Sequence, residues 1–458
     1  MQLGTRNPRK KLRLFLVVVL VVAIAIGAWL GFRVGPVPDI VLSTDYPAVG
    51  RATTVTAVFS EPVRGLVDIR LEVIQNDRVE VLASERPEPG SLLPWSKHKG
   101  TAEAVLTGAV GTDAFGWLTD DSAVVRATAE RRSGFFRRSD AVVAERTLPV
   151  RVRPPRLEIS SSQHYGRQGG AGAVVYRVGP TAVLSGVRAG DHVSPGAPLA
   201  GGDPDESFVI YALPWNLDDA GEIRLFAEDD AGNRVEQSFL DLFNARPPTT
   251  DTIRLSDGFL ERVVPAISSR TPGFDDSRSL LDQYLEINSD LRQAELQRIV
   301  ELSRDSEPAF LWSGSFLQMA GSAQMAGFAE QRSYVYDGRA VDQQTHLGLD
   351  LASTAKAAVP APNSGRVLFA GWMTLYGNAV VIDHGYGLLS VSGHLSSLAV
   401  TEGEAVHRGQ IIGRSGATGL AGGDHLHLEI FVHGQSVDPV EWLDGKWIEE
   451  KIMSKIGR

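Results

Sequence analysis

The hydrophobic pattern opens as one unbroken run. Leu14 to Phe32 holds 19 residues without a charged side chain (LFLVVVLVVAIAIGAWLGF). As a helix it would span about 28 Å, close to the hydrocarbon thickness of a bilayer. Arg6, Arg9, Lys10, Lys11 and Arg13 precede it, and only Arg33 follows closely. That bias predicts a cytoplasmic tail over residues 1–13, a single-pass anchor in the cytoplasmic membrane over 14–32, and export of everything after Phe32 to the periplasm or cell-wall space. A cleaved signal peptide would have a shorter apolar run, of about 7–15 residues.

Beyond the anchor the period drops to two. Thr53 to Phe59, Val67 to Ile74 and Ala123 to Ala129 alternate apolar and polar residues between Gly, Pro and Asp clusters. This predicts a β-sandwich over 37–153. Residues 156–246 repeat the texture, and the phrase Ala227-Glu-Asp-Asp-Ala-Gly-Asn233 resembles the strand-turn-strand of bacterial immunoglobulin-like domains. A second, Ig-like sandwich is expected there, with the Pro154-Pro155 and Pro247-Pro248 pairs as punctuation. Over 249–310 a helical connector is expected, because Leu281, Tyr284, Leu285, Leu291, Ala294, Ile299 and Val300 recur mostly at helical intervals. Residues 311–443 return to β texture, dense in Gly and His, and 444–458 carry a weak helical stripe (Ile448, Ile452, Ile456) that predicts a tail helix. The fold class is mainly β and multidomain, with one transmembrane helix.

Composition narrows the chemistry. With no cysteine, disulfide scaffolds, thiolate zinc sites and cysteine nucleophiles are excluded. Net charge is −10, and apart from the five basic residues of the tail the chain carries 40 basic against 55 acidic side chains. With no local basic patch, nucleic-acid binding is set aside. Seven of the ten histidines lie between His346 and His433, whereas His98, His164 and His192 are scattered through the β-domains without ligand-like neighbours. Those domains read as spacers or docking modules, for partners the sequence does not name.

Three elements concentrate the histidines. In His425-Leu-His427-Leu-Glu429-Ile430 a strand would place His425, His427 and Glu429 on one face and Leu426, Leu428 and Ile430 in the core. His346 and Asp350 are four apart, about 13 Å on a straight strand, so a joint site needs a bend that Gly348 permits. His394 lies in the turn-prone Ser392-Gly-His394-Leu-Ser396. Four histidines and one aspartate suit a zinc hydrolase, in which three ligands leave one position open and two histidines remain for proton traffic. Spacing alone does not say which residue takes which role. His384 reads as structural, His407 and His433 as loop residues, and Glu429 as a surface group, with a partner to a ligand histidine as the alternative.

The same elements, in the same order, resemble the lysostaphin- and LytM-type zinc metallopeptidases, the peptidoglycan endopeptidase family. The intervening text agrees: Ala361-Pro-Asn-Ser-Gly-Arg-Val367, Tyr376-Gly-Asn-Ala-Val-Val-Ile-Asp-His-Gly385, the stretch Val400 to Gly419, and Val437-Asp-Pro-Val-Glu-Trp-Leu443. The resemblance covers about residues 325–443, a quarter of the chain. It implies Zn2+ as cofactor, with ligands His346, Asp350 and His427, and it makes His394 and His425 the catalytic pair. The implied fold is a small, mostly antiparallel sheet with a narrow groove. The implied activity is zinc-dependent endopeptidase hydrolysis of cross-links between peptidoglycan peptide stems. One departure stands out: Ser392 occupies a position that is usually aromatic, which bears on groove shape. The alternative is a non-hydrolytic wall-binding or activator protein of other cell-wall hydrolases. Inactive family members typically lose ligands or catalytic histidines, and this chain keeps all five. A peptidase acting on protein rather than wall peptide is a further rival.

Overall fold

The structure is a computed structural model and describes residues 8–32, 36–63, 65–91, 96–134 and 136–457. It is mainly β, and its contacts divide it into two units: residues up to 154 with 229–233, and 155–228 with 234–458.

In the first unit, Pro8–Phe32 is a single 25-residue helix, long and apolar enough to cross a membrane. A signal sequence near an N-terminus would share that property. Arg6 and Arg33, which entered the charge argument, lie outside the described residues. Two sheets follow. Asp39–Thr44, Thr53–Ser60 and Glu103–Val110 form one; Arg78–Glu85, Leu66–Gln75, Ser122–Arg131 and Val142–Pro149 form the other. The expected alternation is present, since Thr53–Ser60 buries every second residue. Val55, Ala57, Phe59, Ile69, Leu71, Val125 and Ala127 fill one core.

The second unit begins with two four-stranded sheets around Val174, Tyr176, Val187, Val209, Tyr211 and Leu225. The strand Glu206–Ala212 is buried almost throughout, so its outer face also needs a partner. Phe208, Ile210 and Ala212 find it in the C-terminal region, in one core with Trp312, Phe316, Tyr386, Ile430, Val432 and Trp442. Ile448 and Ile452 of the tail pack into the same core from the helix Gly445–Lys451 and its end.

Thr249–Arg254, assigned to a helical connector from sequence, is instead a strand lying parallel to Glu330–Tyr336. Its own residues are β-prone, since Thr249, Thr250, Thr252 and Ile253 are all β-branched, and pairing with a distant strand decided the matter. The helices Asp257–Ser268, Leu280–Glu286 and Arg292–Ser303 come next, with a π turn at Ile287–Leu291 joining the last two. Ser256 and Ser279 cap the first two by accepting backbone N–H bonds. The C-terminal region is built on an eight-stranded sheet. Leu388–Leu395 lies at its middle, flanked by Leu426–Val432 and Gly377–Gly385, and all three strands are almost wholly buried.

Charged groups lock the sandwich to this region. Arg246 pairs with Asp438, and Glu441 Oε2 accepts from Ala171 N at 2.9 Å. Burial pushes the Glu441 carboxyl up to about 8. Its protonated form is therefore favoured in the folded state, which binds the extra proton between about pH 4.5 and 8. Stability of this unit is expected to fall as pH rises through that window, by roughly a few kcal/mol at most. In Glu441→Gln that share of the pH dependence disappears; melting temperatures from pH 5 to 9 that decline equally in wild type and variant would refute the assignment.

Candidate metal centre

The strand Arg339–His346 ends at His346, and the next strand starts at Leu349. The break between them folds the pair back, so His346 Nε2 lies 3.0 Å from Asp350 Oδ1. Gly348 is needed here for space: a Cβ at that position would sit 2.5 Å from His427 Cε1. The register Asp350↔His427 between Leu349–Ala352 and Leu426–Val432 delivers the third group. His427 Nδ1 lies 2.9 Å from Asp350 Oδ1 and 3.2 Å from His346 Nε2.

The hydrogen bonds assign the protons. His346 Nδ1 donates to Gly327 O at 2.8 Å, and His427 Nε2 donates to Glu429 Oε2 at 3.2 Å. Each ring therefore turns a lone pair toward Asp350 Oδ1. Three acceptors face one another in a buried space, an arrangement that calls for a cation. The titration behaviour reflects the same demand. Burial opposes charge on His427, yet Asp350 and Glu429 outweigh it and raise its pKa to about 9. Burial also opposes charge on Asp350, but a further proton taken up by the rings, standing where a cation would, lets His346, His425 and His427 hold the carboxyl well below the usual carboxylate range. Two nitrogens and one carboxylate oxygen suit zinc. The residues present thus fit the ion that the resemblance implies.

His394 and His425 stand beside this triad, with ring centroids 4.7 Å apart. His394 adopts φ of +60°, a left-handed conformation that costs a non-glycine residue about 1–2 kcal/mol. Its Nδ1 donates to Thr418 O at 2.8 Å, which leaves Nε2 as an acceptor. Burial, reinforced by His425 and His427, lowers its pKa to about 3. Thr418 is held in turn by Gly377, whose φ of +65° and missing Cβ let the two loops touch. His425 Nδ1 donates to Gly423 O at 2.9 Å, and its Nε2 lies 3.5 Å from Asp350 Oδ1. All five residues singled out from sequence meet in one place.

Two sequence readings change. Leu426–Val432 is buried on both faces, and Glu429 is 2% exposed, so it is not a surface group. Its edges pair with Leu349–Ala352 and Leu388–Leu395, and both faces are packed: Leu426, Leu428, Ile430 and Val432 lie in core on one side, and Phe431, on the side of Glu429, lies in core on the other. Tyr376 OH donates to Glu429 Oε2 at 2.7 Å, and Ser436 Oγ donates to Oε1. Ser392 is also buried and does not line the cavity beside the triad. His384 is structural, bonding Ser364 O and Ser390 Oγ. His433 lies in a turn, as expected, and burial there lowers its pKa to about 3.

Sequence reasoning missed Arg332, which donates from Nη2 to Asp350 Oδ2 at 3.1 Å and from Nε to Glu330 at 2.9 Å. It thereby occupies one carboxylate oxygen and leaves Oδ1 to the triad. No motif marks an arginine 18 residues upstream; only strand pairing brings it in. The cavity at the triad measures about 290 Å³. Part of its wall comes from the helical segment, through Tyr284, Asn288, Arg292 and Leu296.

Residues 344–439 match the model of Peptidase family M23. The DD-carboxypeptidase/endopeptidase Mpg of Neisseria meningitidis is 41% identical over 95 residues, covering 21% of this chain and 22% of that protein. The murein hydrolase activator EnvC of Escherichia coli is 38% identical over 96 residues, covering 21% and 23%. The catalytic domain of lysostaphin from Staphylococcus simulans aligns at 28% identity and a TM-score of 0.25, covering 29% of this chain and 98% of that domain. The matches to Mpg and EnvC span less than a quarter of those proteins' length. The C-terminal part of this chain therefore carries a peptidase family M23 domain.

Proposed function

We propose that this protein is a zinc-dependent endopeptidase that hydrolyses peptide cross-links of bacterial peptidoglycan, held by its N-terminal helix at the outer face of the cytoplasmic membrane. The observation that carries the reading is the convergence of the lone pairs of His346 and His427 on Asp350 Oδ1, with a second histidine pair alongside. His346, Asp350 and His427 would hold the ion. Bound there, zinc supplies Lewis-acid chemistry, polarising a carbonyl oxygen and acidifying water.

The chain's own residues do the rest. Glu429, fixed by Tyr376 and Ser436, keeps the proton of His427 on Nε2 and aims Nδ1 at the site. Gly327 O does the same for His346. His394 and His425 each spend Nδ1 on a backbone carbonyl, which leaves both Nε2 atoms to serve the substrate. One Nε2 lone pair takes the proton of the attacking water, and the other ring, carrying a second proton from solvent on its Nε2, donates to the oxyanion that forms at the scissile carbonyl.

Similarity to EnvC, named as an activator, favours the second reading, a protein that docks a partner hydrolase without cutting. Retention of all five residues, with each ring held by a hydrogen bond from its outer nitrogen, supports hydrolysis. Mass spectrometry of muropeptides released from purified, cross-linked peptidoglycan, with and without chelator, separates the two. Chelator-sensitive loss of cross-linked dimers is expected; unchanged dimers in the presence of bound zinc would leave the activator reading standing.

Two variants test the division of labour. His425→Ala is expected to abolish turnover while keeping about one zinc per chain, whereas His427→Ala loses the metal; loss of zinc from the first would make His425 a ligand. Glu429→Gln is expected to weaken zinc binding by about 10- to 100-fold in competition with a fluorescent chelator. An unchanged affinity would reduce Glu429 to a packing role.

A further inference from the structure

Arg292 stands where the π turn Ile287–Leu291 passes into the following helix, and it lines the cavity that holds the histidines. Its guanidinium is pinned in place. Nε donates to Asn288 O at 3.1 Å and Nη2 donates to Asn288 Oδ1 at 2.6 Å. Asn288 is itself fully buried and anchored by its Nδ2, which donates to Asp342 Oδ2 at 2.6 Å. π turns occur often at functional sites, and here the wider turn carries the residue that orients the arginine.

A guanidinium has five N–H donors, and Asn288 accounts for two of them. Among the described residues no carboxylate lies within ion-pair distance of Arg292. The other charges around the cavity are already engaged. Arg332 is taken by Asp350 and Glu330, and Glu429 by His427, Tyr376 and Ser436. Arg292 is thus a half-buried, immobilised cation with donors to spare, in a chain whose net charge is −10. A packing arginine gains nothing from such restraint. A recognition arginine gains pre-organisation, because less rotamer freedom is lost on binding.

We infer that Arg292 is a carboxylate-binding residue: it takes a free carboxylate of the peptide bound in the groove and so sets which peptides fit. The inference rests on the reading that the groove accepts a peptide, and it adds the chemistry that peptide must carry. The carboxylate is either the peptide's C-terminus or a side-chain acid. Planar, bidentate pairing with a carboxylate is what a fixed guanidinium does best.

The test uses the full-length chain in detergent and three fluorescein-labelled peptides: one with a side-chain acid and a free C-terminus, its C-terminal amide, and its side-chain amide. Binding is read by fluorescence anisotropy in chelator, so that a carboxylate–metal contact cannot create the preference. One of the two amides is expected to bind about 10- to 100-fold more weakly than the free acid, and which one it is names the carboxylate. Arg292→Gln is expected to erase that difference, and Arg292→Lys to retain part of it. Equal binding of acid and amides by the wild type would overturn the inference, as would Arg292→Gln keeping the preference. Loss of affinity for all three peptides alike in that variant would assign Arg292 a structural role and overturn it too. Cleavage of peptidoglycan without acid preference removes only this inference. Acid preference without cleavage keeps it and removes the hydrolytic reading.

Discussion

Two imidazole lone pairs and a carboxylate oxygen lie within 3.2 Å of one another in a buried space. Like-signed electron pairs tolerate that proximity only when positive charge shares the site. Much of the C-terminal architecture answers this constraint. The chain breaks after His346 so that Asp350 returns to it, and Gly348 leaves room for the ring of His427. Arg332 neutralises the outer oxygen of Asp350, while Gly327 O and Glu429 hold the far sides of the rings. Without these outer partners either ring could flip or change tautomer, and the lone pairs would no longer converge.

Rigidity for such a site comes from burial around it. The central strands Gly377–Gly385, Leu388–Leu395 and Leu426–Val432 are covered on both faces. On the side of Tyr386 and Val432 the covering layer includes Phe208 and Ile210 of the preceding sandwich. Each large side chain so buried contributes about 1.5–3 kcal/mol. That sandwich, whose sequence suggested a spacer, is thus part of the core beneath the site, and Arg246 with Asp438 and Glu441 with Ala171 N fix where it lies.

The helical segment has a similar double character. Its apolar residues Leu260, Val264, Tyr284 and Ile287 pack with Tyr334, Trp372 and Leu420 of the C-terminal region. Arg262 donates to Ala421 O and Gly422 O in the loop leading to His425, and Arg270 lies 4.3 Å from the ring centre of Trp372. The segment is built into the groove as a wall, and its polar edge supplies Asn288 and Arg292. A part of the chain outside the matched residues 344–439 therefore contributes to the wall of the cavity.

What the sequence determined by itself was local or compositional. The charge-free run to Phe32, the period-two strands of the first sandwich and the five residues His346, Asp350, His394, His425 and His427 were all legible. The first two follow from short-range periodicity, and the five from motifs whose spacing chemistry constrains. Tertiary structure alone decided the rest. Thr249–Arg254 became a strand because Glu330–Tyr336 lay ready to pair with it. Glu429 became a buried partner because Tyr376, Ser436 and the core around Phe431 closed over the face it shares with His427. Arg332 reached the site through the pairing of its strand with the next one, and Arg292 through the packing of the helical segment. Periodicity reports which side of an element avoids water. It does not report which distant element will cover that side, and the outer partners of this site arrive on such coverings.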